Sequence, residues 1–195
     1  MSQFNSRQYW ENRYKSGGNS GVGSYGIQSK LKSEFLTNFI KKHKIKTLVE
    51  YGCGDGNNLK LTEILNPHLE ITGVDVSETA LNMCKQLMPK QTFIHLNNFS
   101  PSPTDLAVSL EVIFHLIEDE VFDEYMNGLT SIGAEWLIIL SPDVNDNNHP
   151  PHVKKRKFTS SPYLNKRYEL IEEIDFNRSQ NINIFSDWKI FKKNK

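Results

Sequence analysis

Between Glu50 and Gly56 the sequence reads E-Y-G-C-G-D-G, two carboxylates and three alternating glycines in one short stretch. The apolar, β-branched run Thr47, Leu48, Val49 precedes it, and the helix-compatible N-N-L-K-L-T-E-I-L follows. That order predicts a strand, a tight turn and a helix start. Glycine suits such a turn because the chain must take φ > 0 and a side chain would block close approach of a ligand. The unpaired backbone donors of the helix start then face whatever is bound. A dinucleotide site uses G-x-G-x-x-G to lay a pyrophosphate on the helix N-terminus. Here the spacing is one residue shorter, Asp55 sits inside the turn, and Glu50 lies two positions before Gly52. Two carboxylates disfavour a pyrophosphate and suit a ligand that carries positive charge.

Two other residue sets could serve chemistry. Asp75 ends the predicted second strand, L-E-I-T-G-V-D, 19 residues after Gly56. A carboxylate there can accept hydrogen bonds from both hydroxyls of a ribose, and Ser77 is the better N-cap for the helix that follows. Of the six histidines, His43 and His68 lie near helix ends and His95 inside a predicted strand. His115 follows the predicted fourth strand, and His149 and His152 fall in the loop after the fifth. Ligands of open α/β sheets sit at the carboxyl ends of strands, and neutral imidazole is suited to take a proton there. His115 ranks first as a base.

The elements that must position these residues alternate along the chain. From Ile27 to Lys44, Leu31, Phe35, Leu36, Phe39 and Ile40 share one helical face, with lysines expected to fill the other. After the glycine turn come the helix Leu59 to Leu65, the second strand and the helix S-E-T-A-L-N-M-C-K-Q-L-M. The strand Q-T-F-I-H-L (91–96) and the strand T-D-L-A-V-S-L (104–110) follow. Val121, Phe122, Tyr125, Met126, Leu129 and Ile132 then make a 3.6-period core stripe. W-L-I-I-L-S (136–141) is a fully buried strand, and D-V-N-D-N-N-H-P-P-H after it is loop. A short helix is expected near Ser161-Pro162, then the strand Y-E-L-I-E-E-I (168–174) and a last strand within F-S-D-W-K-I-F-K-K, joined as a hairpin. The fold class is α/β, a mostly parallel sheet closed by a C-terminal antiparallel hairpin, with helices on both faces. One domain over residues 1–195 is expected.

Composition narrows the function. Lys and Arg total 23 against 23 Asp and Glu, so nothing draws the chain globally towards nucleic acid or an anionic membrane. The only basic run is K-K-R-K (154–157), shorter than a nucleic-acid tail. Cys53 and Cys84 have neither metal-ligand spacing nor a disulfide framework, which points to a reducing compartment and no metal. The N-terminal residues lack an apolar h-region and no apolar run approaches 18 residues, so a cytoplasmic location without a membrane span is expected.

Taken in order, several segments resemble class I S-adenosylmethionine-dependent methyltransferases. E-x-G-C-G-D-G resembles their motif I, whose cofactor carries a sulfonium, an ammonium and no phosphate. D-L-x-x-S-L-E-V-I-F-H-L-I-E-D (105–119) resembles motif IV and its flank. Y-W-E-x-R-Y (9–14), followed by G-G-N-S-G-x-G-S-Y-G (17–26), resembles the N-terminal segment of a bacterial and viral methyltransferase group, in which it folds over the cofactor. H-V-K-K-R-K-F (152–158) resembles the acceptor-flanking loop of the same group. The resemblance implies a Rossmann-like, seven-stranded fold with residues 1–27 as a lid and residues 28–195 as the core. It implies S-adenosylmethionine as cofactor and S-adenosylhomocysteine as product. The cofactor set it implies is Tyr9, Trp10, Arg13, Tyr25, Glu50, Gly52, Cys53, Gly54, Asp75, Val76, Asn97, Asn98, Leu110 and Glu111. Asn97 or Asn98 would meet the adenine amino group where the family usually offers an aspartate. Association with glycan pathways implies a sugar or other small hydroxyl acceptor. The rivals are a nucleic acid or protein methyltransferase using K-K-R-K, a nicotinamide-dependent oxidoreductase, and a protein that binds the cofactor without turnover.

Overall fold

The computed structural model describes residues 4–146, 150–175 and 186–195. Its seven strands make up a mostly parallel sheet, and its residues group into two compact units, Arg7–Ser100 and Pro101–Lys195 with the stretch ending at Ser6.

In the unit Arg7–Ser100, α1 (Ser6–Lys15) leads through a glycine-rich stretch to α2 (Gly26–His43). Then come β1 (Thr47–Tyr51), α3 (Asn57–Leu65), β2 (Glu70–Asp75), α4 (Glu78–Leu87) and β3 (Thr92–His95). The three strands lie parallel in the order β3-β2-β1, with Glu50 opposite Gly73 and Asp75 opposite His95. Leu48, Val49, Ile71 and Val74 are buried, as strands covered on both faces require. The segment 1–27, for which the resemblance implies a lid, includes the ten-residue helix α1. Along α2, Leu36, Phe39 and Ile40 are buried as the periodicity predicts, whereas Leu31 and Phe35 are only partly so. Lys32 departs from the expected solvent face and is 1% exposed.

The other unit contains β4 (Leu106–Leu110), α5 (Asp119–Ser131), β5 (Trp136–Ser141), α6 (Pro162–Arg167), β6 (Tyr168–Ile174) and β7 (Asp187–Lys193). Its strand order is β4-β5-β7-β6; β4 and β5 are parallel, and β7 runs antiparallel to β5 and β6. The apolar strands L-A-V-S-L and W-L-I-I-L-S are almost wholly buried. Ser109 of β4 meets the Tyr125 hydroxyl of α5 at 2.7 Å, satisfying both polar groups inside this core. The α5 stripe buries Tyr125, Met126, Leu129 and Ile132. At the outer strand β6, Glu169, Glu172 and Glu173 are exposed, and charges of this kind discourage edge-to-edge pairing. The connection between β6 and β7 lies largely outside the described residues.

A contact invisible to helical periodicity fastens α1 to the start of α4. Ser77 caps α4 by accepting from the Ala80 amide, as expected, and its hydroxyl donates to Glu11 at 2.6 Å. Glu11 also accepts from the Thr79 hydroxyl at 2.9 Å and pairs with Lys15 at 3.1 Å. The Ser77 hydroxyl is the largest of the influences that bring the Glu11 carboxyl down to about 2. A negative charge at a helix N-terminus is itself favourable. The folded-state value lies below the unfolded one, so this stabilisation is complete above the ordinary carboxylate range and is lost as pH falls towards 2. Glu11→Gln is expected to lower stability by about 1–2 kcal/mol at pH 7. In urea denaturation the difference from the parent should shrink steadily below pH 4; a difference constant from pH 7 to pH 2.5 would contradict the assignment.

Candidate active site

The turn after β1 is built from left-handed glycines. Gly52, Gly54 and Gly56 have φ of 86°, 54° and 80°, conformations in which a Cβ is strained. Gly54 is required for a second reason, since a Cβ on it would lie 2.3 Å from Ser20 Oγ and 2.8 Å from the Tyr14 hydroxyl. The glycine-rich stretch before α2 is bonded to the turn mainly through Asp55. The Ser20 amide and the Tyr25 hydroxyl both donate to Asp55 Oδ2 at 2.8 Å, and the Asp55 amide donates to Ser20 Oγ at 3.0 Å. Asn57 donates to the Ser24 carbonyl at 2.6 Å. Desolvation and the hydrogen bond to Asp55 hold the Tyr25 hydroxyl up at about 12, so it stays a donor. Arg13 Nε donates to the Asn19 carbonyl at 2.6 Å, and its guanidinium lies 5.7 Å from the centre of the Trp10 ring. Tyr9 packs edge-on against Trp10.

Two carboxylates frame the turn differently. Asp75 accepts from the Gly54 amide at 2.8 Å and the Ser77 amide at 2.9 Å, one on each oxygen. Enclosure raises its carboxyl, and the Ser77, Gly54 and Val76 amides oppose that rise. A carboxylate offers about four lone-pair sites, so a ribose diol still finds acceptors there. Glu50 is 2% exposed, and its Oε2 has no hydrogen-bond partner. Burial lifts its carboxyl to about 8, the Lys32 ammonium pulls it down, and Asp75 and Asp55 push it up. A buried carboxylate oxygen lacking a donor is costly, and a cationic ligand donor would relieve that cost.

After β3 the expected strand end is a tight turn, Leu96–Asn98. The Asn97 amide donates to His95 Nδ1 at 3.2 Å, so Nε2 carries the proton that meets the Val76 carbonyl at 2.9 Å. Sequence reasoning set His95 aside, yet it joins β3 to the residue after Asp75. Cys53 and Cys84 are buried thiols whose sulfurs lie 3.8 and 3.2 Å from the Gly54 carbonyl. Among the described residues no group of histidine, cysteine and carboxylate side chains could hold a metal.

In the other unit, Glu111 follows β4 with φ 59°, a left-handed conformation rare for a residue with a side chain. Such outliers gather at functional positions. Its amide donates to the Leu140 carbonyl at 2.7 Å, and its carboxylate accepts from Ser186 at 3.3 Å. Leu110 is buried at the strand end. His115 closes a single turn, Ile113–His115, and its Nδ1 lies 3.0 Å from the His152 carbonyl. A carbonyl only accepts, so Nδ1 bears the proton and the lone pair of the neutral ring is on Nε2. The His115 and His152 rings stack with centroids 6.0 Å apart. His149 lies outside the described residues.

Three residues of the basic run make their contacts inside this unit. Lys154 donates to Asp119 at 2.6 Å and its amide to the Phe114 carbonyl at 2.8 Å. Arg156 donates to the Leu116 and Ile117 carbonyls and to Asp119, and lies over the Phe122 ring. Lys155 pairs with Asp146 at 3.7 Å. These contacts hold the 152–158 segment beside His115. Hydrogen bonds from Lys154 and Arg156 bring the Asp119 carboxyl down to about 2.

Residues 49–133 match the family described as methyltransferase domain. The trans-aconitate 2-methyltransferase of Afipia carboxidovorans is 28% identical over 133 residues, covering 66% of this chain and 50% of the relative. That of Rhodopseudomonas palustris is also 28% identical, over 57% of this chain and 44% of the relative. The chain thus spans about half the length of the curated relatives it matches. The N-methyltransferase NodS of Bradyrhizobium japonicum, solved with S-adenosylhomocysteine, superimposes with a TM-score of 0.70 at 17% identity, over 98% of this chain and all of that one. The plantazolicin methyltransferase BpumL, also solved with S-adenosylhomocysteine, gives 0.67 at 16% identity, over 97% and 94%. The superpositions show the fold of class I S-adenosylmethionine-dependent methyltransferases, and residues 49–133 carry the match to the methyltransferase domain. The buried acceptor on Glu50 and the left-handed turn fit a ligand with a cationic amino acid end.

Gly54→Ala is expected to weaken S-adenosylhomocysteine binding at least about tenfold, because relieving the overlap with Ser20 and Tyr14 displaces the turn, and to lower stability by about 1–3 kcal/mol. Calorimetry and thermal unfolding check both effects, and unchanged affinity would remove the turn from the cofactor site.

Proposed function

We propose that the protein transfers a methyl group from S-adenosylmethionine to a small hydroxyl acceptor, a sugar hydroxyl of a glycan being the preferred class. The observation that carries this is the left-handed glycine turn beside Glu50, a buried carboxylate with one oxygen lacking a donor. In this proposal Glu50, Gly52 and Arg13 receive the amino acid end of the cofactor, and Asp75 the ribose. Tyr9, Trp10 and Tyr25 cover it, while Val76 and the Asn97–Asn98 turn border the adenine. Leu110 and Glu111 end the strand that leads to the reacting groups.

Bound S-adenosylmethionine supplies an electrophilic methyl group on a sulfonium, and the protein's main task is to hold the acceptor oxygen in line with it. A neutral hydroxyl must also lose a proton. The His152 carbonyl fixes His115 in the tautomer whose Nε2 can take that proton. Internal pairing of Lys154, Lys155 and Arg156 weighs against the basic run as a phosphate contact. The zero net charge weighs the same way.

A second reading is favoured by the sequence relatives, which are named for trans-aconitate, an acid. A carboxylate acceptor carries no proton, so esterification would need positioning but no base. The two readings diverge at His115. With a hydroxyl acceptor, His115→Ala should lower kcat by about 10²–10⁴-fold while cofactor affinity stays near that of the parent. A rate within threefold on a hydroxyl substrate, with folding confirmed, would remove His115 as the base.

Asp75→Ala removes charge-assisted hydrogen bonds worth about 1.5–3 kcal/mol each, so S-adenosylhomocysteine affinity should fall at least about tenfold. Unchanged affinity in calorimetry would overturn the ribose assignment.

A further inference from the structure

β4 and β5 run parallel, so His115 and the chain that leaves β5 at Asp143 lie beyond the same, carboxyl ends of their strands, where open α/β sheets bind ligands. On the returning limb alternate residues serve opposite faces, as in an extended chain. Lys154 and Arg156 meet Asp119 and the carbonyls of Phe114, Leu116 and Ile117, and Phe158 is buried. Lys155, Lys157 and Thr159 meet the outgoing limb instead. Lys155 pairs with Asp146 at 3.7 Å, and the Lys157 amide donates to Asn145 Oδ1 at 2.9 Å. Thr159 donates to Asp143 through its amide at 3.0 Å and through its hydroxyl at 2.7 Å. Asp143 Oδ2 lies 3.7 Å from Nζ of Lys189 in β7. Lys189 is 3% exposed, and its ammonium also pairs with Glu173, its neighbour across the strands in β6. Buried ion pairs add little stability beyond what apolar residues in the same space provide; what this one supplies is direction. Both oxygens of Asp143 are committed, Oδ1 to the Thr159 amide and Oδ2 to its hydroxyl and to Lys189, which sets the register at which the returning limb closes.

We propose that Asp143 is a positioning residue for the reacting histidine: held from β7 by the buried Lys189 ammonium, it sets through Thr159 the register of the returning limb, and that register brings the His152 carbonyl to Nδ1 of His115. The inference rests on the reading of His115 as the base. Each link is a contact within this unit: Lys189 to Asp143, Asp143 to Thr159, Lys154 and Arg156 to the carbonyls on either side of His115, and the His152 carbonyl to its ring. The tautomer of a residue that follows β4 is thereby fixed from the outer strands of the sheet. With the Asp143 anchor lost, the limb shifts and the His152 carbonyl leaves Nδ1. The proton then moves in part to Nε2, the nitrogen that must be bare to act as a base.

The test is nitrogen NMR of the His115 ring in the full chain, at a pH above the ordinary histidine range. It compares the parent with Asp143→Ala, Lys189→Met and Lys189→Arg. Glu135→Gln, which removes the exposed ion pair of Glu135 with Lys192 elsewhere in the unit, controls for general loss of stability. In the parent the tautomer protonated on Nδ1 should dominate. Its ratio to the form protonated on Nε2 should fall about threefold to tenfold in Asp143→Ala and Lys189→Met, the worth of one hydrogen bond. The ratio should recover in Lys189→Arg and keep its parent value in Glu135→Gln. Should the alanine variant not fold, Asp143→Asn, which gives up the ion pair and one acceptor, decides in its place. No acceptor substrate enters this experiment, so its outcome is separate from the rate of His115→Ala, which alone decides whether His115 is the base. An unchanged ratio in the folded Asp143 variant would overturn the positioning role, and an unchanged ratio in Lys189→Met would overturn the anchor from β7. An equal fall in Glu135→Gln would overturn both by reducing them to general loosening.

Discussion

A carboxylate buried without a full set of donors organises the unit Arg7–Ser100. Glu50 lies at the penultimate position of β1, and the chain turns immediately beyond it through glycines in left-handed conformations. Leaving such a group unpaired is expensive, and a fold keeps it where a ligand supplies the missing partner. A carboxyl there cannot compensate the charge of a phosphate, and an ammonium that draws off its proton would be held. That electrostatic choice separates this turn from the dinucleotide-binding turn it otherwise resembles.

Other contacts hold that arrangement still. Asp75 fixes the turn through the Gly54 amide, and Asp55 fastens the glycine-rich stretch through Ser20 and Tyr25. In the other unit a backbone carbonyl meets the His115 ring. The His152 carbonyl selects the tautomer of His115, and Lys154 and Arg156 pin the segment that carries it. In each unit a strand leads to a carboxylate, Asp75 in one and Glu111 in the other, that accepts hydrogen bonds from neighbouring chain.

Much of this was legible in the sequence because it follows from local rules. Alternation of apolar runs with 3.6-period stripes located the strands and most helices, and β6 was found at its observed bounds. The glycine spacing and the acidic end of β2 marked the turn and its ribose candidate. What escaped depended on tertiary contacts. Lys32 sits on a helix whose lysines otherwise face water, and only the packing of α2 shows that it is buried. The helix α1 has weak apolar periodicity because Glu11 fastens it to α4 through polar contacts. The basic run read as a solvated face, whereas Lys154, Lys155 and Arg156 meet carboxylates distant in sequence or across a turn. Glu111 carried no signal for its left-handed conformation, since glutamate has no preference for it.

The most direct measurement is calorimetric titration of the protein with S-adenosylhomocysteine at pH 7, in two buffers of different ionisation enthalpy, which yields both affinity and the number of protons exchanged. With the Glu50 carboxyl at about 8 before binding, pairing with the ligand ammonium should give saturable binding and release close to one proton per ligand. Absence of binding, or binding with no proton released, would contradict the account.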